Sequence, residues 1–275
     1  MRKTKLNTII VILIIVFIVS ATILLSKGFL NAFSDNDSSS QNLSNQNNNE
    51  ETPTPDDETK PPVESVNIFA DKIMACLGDS ITYGYVTKQG GQYENPYPKL
   101  LKETLGLKEC YNYGRGGSNL ATYNGSIKPF TERVKELPLN LDIITVMGGT
   151  NDWANGVPLG TIDSEDETTI YGALRSIAEY LTETYPDAYI VFMSPIPRKE
   201  SWANSKGYKI SDVGVAVQEV AELYGFDFLD MYSLSGFENE MKTDSTDGVH
   251  PSQELLINSI TPTIAQFLRE NYIGE

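Results

Sequence analysis

Ser80 stands in "CLGDSITYG" (76–84), just past a short apolar run and among glycine, aspartate and threonine. On its own that setting suits a helix N-cap or a turn as well as it suits a nucleophile. A serine hydroxyl attacks a carbonyl only when a base takes its proton, and the base is usually a histidine oriented by a carboxylate. The chain has one histidine, His250, in "STDGVHPSQE", with Asp247 three residues before it. The Asp-Gly turn lets the chain fold back, so the carboxylate can accept from one ring nitrogen while the other nitrogen faces a hydroxyl. Ser80, His250 and Asp247 are therefore candidates for nucleophile, general base and orienting acid in acyl transfer.

Acyl transfer also needs donors aimed at the developing oxyanion. "NYGRGGSN" (112–119) offers Gly117, where a missing Cβ permits close approach, and "GGTNDW" (148–153) offers the Asn151 amide. A plain glycine turn and an Asn cap account equally for either segment taken alone. Other serine chemistries lack their patterns: there is no G-x-S-x-G elbow and no S-x-x-K. Metal hydrolysis needs clustered ligands, which one histidine and two separated cysteines do not supply. The acidic "DSEDE" (163–167) precedes a helical pattern, where the helix dipole favours acids. No metal and no cofactor is expected. Tyr83, Tyr85, Tyr93 and Trp153 lie near these segments in sequence, as a substrate rim or as packing.

Five brief apolar runs read as buried strands: "KIMACLG" (72–78), "CYNYG" (110–114), "DIITVMGG" (142–149), "AYIVFMSP" (188–195) and "FDFLDMY" (226–232). Amphipathic helical patterns lie between and after them: "NPYPKLLKETLG", "IKPFTERVKEL", "TIYGALRSIAEYLTETY", "SDVGVAVQEVAELYG" and "QELLINSITPTIAQFLRENY". Alternation of this kind means parallel strands joined by right-handed crossovers, hence an α/β fold with a three-layer α/β/α sandwich. Ligands in such sheets bind beyond the carboxyl ends of the strands. Ser80, Gly114 to Ser118, and Gly148 to Asp152 all fall there.

The first 65 residues carry a different message. "TIIVILIIVFIVSATILL" is long enough to span about 30 Å of hydrocarbon at about 1.5 Å per helical residue. Arg2, Lys3 and Lys5 precede it, which keeps the N-terminus inside and sends the chain beyond Lys27 outside. Residues 1–32 are expected to be a cytoplasmic tip and membrane anchor. A cleaved signal peptide, with secretion, is the other reading. Residues 33–65 are poor in apolar side chains, which predicts a disordered linker, and residues 66–275 suffice for one domain. The net charge is −16. It is more negative still without Arg2, Lys3, Lys5 and Lys27, a balance that disfavours nucleic acid as a partner. Cys76 and Cys110 could pair or remain free, and sequence leaves that open.

"GDSITYG", "NYGRGGSN", "GGTND" and "DGVHP" resemble, in order, the four blocks of the SGNH (GDSL-type) hydrolase family, across residues 72 to about 255. The resemblance implies a flavodoxin-like sandwich with about five parallel strands. It implies Ser80 as nucleophile and N–H donor, with Gly117 and Asn151 completing the oxyanion hole. His250 would be the base and Asp247 its orienter, while Asp79 and Asp152 would support loops. Gly117 is chosen among three nearby glycines because the family pattern sets it a few residues beyond an asparagine, here Asn112.

The expected activity is extracytoplasmic hydrolysis of short acyl esters, with acetyl groups on cell-surface or extracellular polysaccharide favoured. A lysophospholipase-like hydrolase and a non-catalytic glycan-binding module on the same fold are the alternatives.

Overall fold

Alternate residues of each apolar run turn to opposite faces, and this builds the sheet. In the computed structural model, which describes residues 66–87, 89–123, 127–243 and 247–274, the five runs form β1 (Ile73–Gly78), β2 (Glu109–Gly114), β3 (Ile143–Met147), β4 (Tyr189–Met193) and β5 (Asp227–Leu229). All pair in parallel, in the order β2-β1-β3-β4-β5. Leu77, Ile144, Val146 and Phe192 enter one core, and Met74, Cys76, Met147 and Met193 enter the other. A period of two with both faces apolar is what a sheet covered on both sides requires.

The helices in chain order are α1 (Ser80–Tyr83), α2 (Tyr97–Leu105), α3 (Phe130–Arg133), α4 (Thr150–Asn155), α5 (Ile170–Thr184), α6 (Ile210–Tyr224), α7 (Met231–Leu234), α8 (Phe237–Met241), α9 (Gln253–Leu255) and α10 (Thr261–Asn271). The apolar stripes of α5 and α6 cover the Leu77 face, with Phe130 of α3 beside them. Those of α2 and α10 cover the Cys76 face together with Phe237. A side chain such as Leu174 or Leu101, wholly buried there, contributes roughly 1.5–3 kcal/mol of transfer free energy.

Two sequence expectations change in detail. "IKPFTERVKEL" makes only α3 and one 3₁₀ turn, Val134–Glu136. The last helical pattern is interrupted by a π turn, Leu256–Ile260, just before Pro262. Proline supplies no N–H, so a regular ladder cannot run through it.

The cysteines are free in this structure, buried on neighbouring strands with their sulfurs 3.8 Å apart. The anchor and linker expected over residues 1–65 lie outside the described residues. Among the described residues no helix is long and apolar enough to cross a membrane.

Register decides what meets at the sheet's carboxyl edge. Gly78 of β1 lies opposite both Gly114 of β2 and Met147 of β3. The loops carrying Ser80, Gly117 and Asn151 therefore leave the sheet side by side. Between β1 and β3 the winding reverses, the topological switch point where open α/β sheets bind ligands.

Candidate active site

Strand β1 ends at Gly78 and the chain turns at once into α1, with Asp79 as its N-cap accepting from the Ile81 N–H at 2.9 Å. Ser80 thus sits on the first turn, 6% exposed. The close approach of β2 to this turn needs glycine at 114, because a Cβ there would lie 2.0 Å from the Tyr83 backbone nitrogen. Asn112 ties the same elements, donating to the Thr82 carbonyl at 3.0 Å and accepting from the Gly114 N–H at 2.8 Å.

His250 arrives from the far end of the chain. Asp247 Oδ1 accepts the N–H groups of Val249 and His250, each at 2.9 Å, which folds the loop into an Asx-type turn through Gly248 at φ +81°. Asp247 Oδ2 lies 2.8 Å from His250 Nδ1, and His250 Nε2 lies 2.8 Å from Ser80 Oγ. Lys199 fixes this turn from the β4 side, its N–H donating to the Gly248 carbonyl at 2.8 Å. Burial raises the Asp247 carboxyl, but the bonds from the His250 ring and the two N–H groups outweigh it and hold the carboxyl below the ordinary range. The carboxylate therefore stays ionised near neutrality, and a hydroxyl, an imidazole and a carboxylate in this series can pass a proton away from the hydroxyl.

Arg115 to Ser118 form a turn closed by the Ser118 N–H on the Arg115 carbonyl at 3.3 Å, with Gly117 at φ +74°. A side chain at 117 would be strained in that left-handed conformation. Gly116 faces the serine most directly, since a Cβ on it would stand 4.0 Å from that of Ser80. On the other side Asn151 lies in the first turn of α4. Its Nδ2 donates one proton to the Ser118 carbonyl at 3.0 Å, which leaves the second for another acceptor.

Asp79 and Asp152 lie beneath these loops, 2% and 0% exposed. Asp152 accepts from the N–H groups of Leu120 and Ala121 at 2.8 and 3.0 Å. Burial pushes Asp79 up to about 6, against the Ile81 N–H and the charges of His250, Arg133 and Arg198. It pushes Asp152 up to about 7, against its backbone donors.

Of the aromatic residues that sequence left as rim or packing, Trp153 is packing. Trp153 is not on the rim: it is 5% exposed in the core, its Nε1 donating to the Tyr208 carbonyl at 3.2 Å and its ring 4.9 Å from the Arg198 guanidinium carbon. About half a helical turn decides this, because Asn151 and Trp153 leave α4 about 200° apart. Tyr83 closes α1 half-buried, its carbonyl taking the Gln92 amide. Tyr85 and Tyr93 are the rings that share a small pocket with Ser80 and His250, and the Tyr85 ring lies 4.9 Å from the imidazole.

Arg133, which the sequence pattern places among ordinary helix charges, is 3% exposed beneath the same loops. Its Nη1 donates to the Gly78 carbonyl and the Ser118 hydroxyl, each at 3.0 Å, and its Nη2 to the Tyr113 carbonyl. Burial lowers its pKa to about 10, with Arg115 adding to the effect. Among the described residues, no group of three or more His, Cys, Asp or Glu side chains could hold a metal ion.

A family model described as GDSL-like lipase/acylhydrolase matches residues 76–255, from just before Ser80 to just past His250. No match is found among curated proteins. Solved structures share the fold. A protein from Lactobacillus plantarum is 27% identical at a TM-score of 0.65, covering 74% of this chain and 99% of its own. An aryl esterase from M. smegmatis is 20% identical at 0.54, covering 72% and 99%. A carbohydrate acetylesterase family member from Sinorhizobium meliloti is 21% identical at 0.50, covering 72% and 99%.

Proposed function

We propose, since the chain belongs to the GDSL-like lipase/acylhydrolase family and is a hydrolase acting on ester bonds, that it removes short acyl groups, acetyl foremost, from carbohydrate outside the cell membrane. The observation that carries the chemistry is the continuous series Ser80 Oγ, His250 Nε2, His250 Nδ1, Asp247 Oδ2, with 2.8 Å at each contact between residues. In this reading Ser80 attacks the ester carbonyl as His250 takes its proton, and Asp247 holds the ring and balances the imidazolium. The tetrahedral oxyanion is met by the Ser80 and Gly117 N–H groups and the Asn151 amide. His250 then returns the proton to the leaving alcohol, and water, activated by the same imidazole, releases the acid and frees Ser80. No step calls on a cofactor.

The substrate class draws support from three features. The apolar stretch after Arg2, Lys3 and Lys5 favours a domain held outside the membrane, within reach of cell-surface and extracellular polysaccharide. The stretch "VTKQGGQYENPY" that follows the Ser80 segment in sequence is polar. The half-buried Tyr85 and Tyr93 rings line the same small pocket as Ser80 and His250 and put aromatic surface beside the site. A fold-level neighbour described as a carbohydrate acetylesterase family member agrees with this reading.

The test is hydrolysis of p-nitrophenyl acetate, butyrate and octanoate, and of acetylated xylan, by the chain from residue 66 onward beside Ser80→Ala. Fast acetate cleavage and acetate release from xylan, both lost in the variant, support the proposal. Preference for octanoate moves the substrate to lipids, and equal rates in the variant remove Ser80 from the chemistry.

A further inference from the structure

Arg133 is a buried cation that forms no ion pair among the described residues. A charge held this way costs free energy unless its hydrogen bonds offset the lost solvation. All the acceptors it reaches are neutral, and each belongs to an element that frames Ser80. Gly78 is the last residue of β1 before the nucleophile turn, and Tyr113 lies near the end of β2. Ser118 closes the glycine turn. From Ser118 the series continues: its hydroxyl donates to the Lys128 carbonyl at 2.8 Å, and its own carbonyl receives the Asn151 amide at 3.0 Å.

We propose that Arg133 is a positioning residue that presets the oxyanion donors, holding the 115–118 turn through Ser118 and, through the Ser118 carbonyl, the rotamer of Asn151. This rests on the esterase reading above. An Asn side chain turns freely about χ1 and χ2 unless one of its amide protons is engaged, and a donor that must find its place during the reaction stabilises the oxyanion less than one already aimed. The guanidinium suits the task because its planar fork reaches two strand ends and the turn at once, which an ammonium on a flexible stem does not.

The experiment is a double-mutant cycle on p-nitrophenyl acetate hydrolysis. Ser118→Ala removes only the hydroxyl that Arg133 reaches. It is expected to lower kcat roughly tenfold with KM within about twofold, the split that marks an interaction made in the transition state. In an Asn151→Ala background the same substitution is expected to cost distinctly less than in the parent, because the part of its effect that passes through the amide is gone and only the part that passes through the 115–118 turn remains. Arg133→Lys keeps the charge and loses the fork, and is expected to lower kcat similarly and to add little to Ser118→Ala.

Equal factors in both backgrounds, or full kcat in Arg133→Lys, overturn the proposal. Should Arg133→Lys fail to fold, the Ser118→Ala cycle decides. Ser80→Ala separates the two readings. If Ser80→Ala is active, the esterase reading falls; if it is inactive while Ser118→Ala and Asn151→Ala are additive, only the positioning role falls.

Discussion

His250 Nε2 lies 2.8 Å from Ser80 Oγ across 170 residues of chain. The contact closes the first β-strand's turn against the loop that precedes the last helices, and in the proposed mechanism proton transfer away from the serine depends on it. Removing either partner should therefore leave the fold and abolish the chemistry. Ser80→Ala and His250→Ala are each expected to lower kcat on p-nitrophenyl acetate by on the order of 10⁴-fold or more. Thermal midpoints should stay within a few degrees of the parent, and a His250→Ala variant of near-normal rate would assign the base elsewhere.

Asp247 is the more exposed partner, its side chain 42% accessible against 15% for His250. Its folded pKa is depressed, so its stabilising contribution is present above the ordinary carboxylate range and is lost as pH falls through the folded value. At neutral pH it is fully ionised. Asp247→Asn should cut kcat by about 10²- to 10⁴-fold by disturbing the tautomer of the ring. A pH–rate profile with an unchanged plateau in that variant would show that Asp247 does not orient the imidazole.

Asn151 already gives one amide proton to Ser118 and has one to spare. Asn151→Ala is expected to fold normally and lose on the order of 10²- to 10³-fold in kcat, with KM little changed, as for loss of one oxyanion donor. Steady-state kinetics with an unaltered kcat would remove Asn151 from the site.

Asp79 and Asp152 bear on stability in the opposite sense to Asp247. Burial raises them to about 6 and about 7, so the folded chain binds more protons than the unfolded one above the ordinary carboxylate pKa. Their contribution is fully present below the ordinary carboxylate pKa and is lost as pH rises from there through the folded values, by roughly 3 kcal/mol for Asp79 and 4 kcal/mol for Asp152. Urea unfolding of the parent and Asp152→Asn at pH 5 and pH 8 reads this directly. The parent's stability relative to the variant should be higher at pH 5, and a difference independent of pH would mean that Asp152 titrates normally.

Trp153 belongs to the core, with its N–H satisfied by Tyr208. Trp153→Phe should cost about 1–3 kcal/mol in urea unfolding by removing the indole N–H bond to the Tyr208 carbonyl, which keeps only the Asn204 N–H, and by leaving buried volume unfilled, with KM on soluble and polymeric esters unchanged. A raised KM at full stability would return Trp153 to the substrate.

What the sequence determined by itself is what local pattern controls. Short apolar runs with period-two burial, alternating with amphipathic stretches, leave little choice but a parallel sheet covered on both faces, because strand and stripe must each bury an apolar face. Three of the four ordered blocks lie at strand ends for the same reason, the fourth, "DGVHP", lying beyond α8, and Ser80, Gly117, Asn151, Asp247 and His250 could be named from the chain by its resemblance to the family blocks. Only the tertiary structure decided which side chains meet. Strand register brought Gly78, Gly114 and Met147 level and so set three loops side by side, whereas the half-turn between Asn151 and Trp153 on α4 sent the indole into the core. Tyr85 came to the imidazole through the chain reversal at Gly84. Arg133 was invisible in "FTERVKEL", since one more charge on an amphipathic helix looks solvated until the fold buries it. Its role rests on three acceptors that are 15 to 55 residues away along the chain, a proximity that only packing creates.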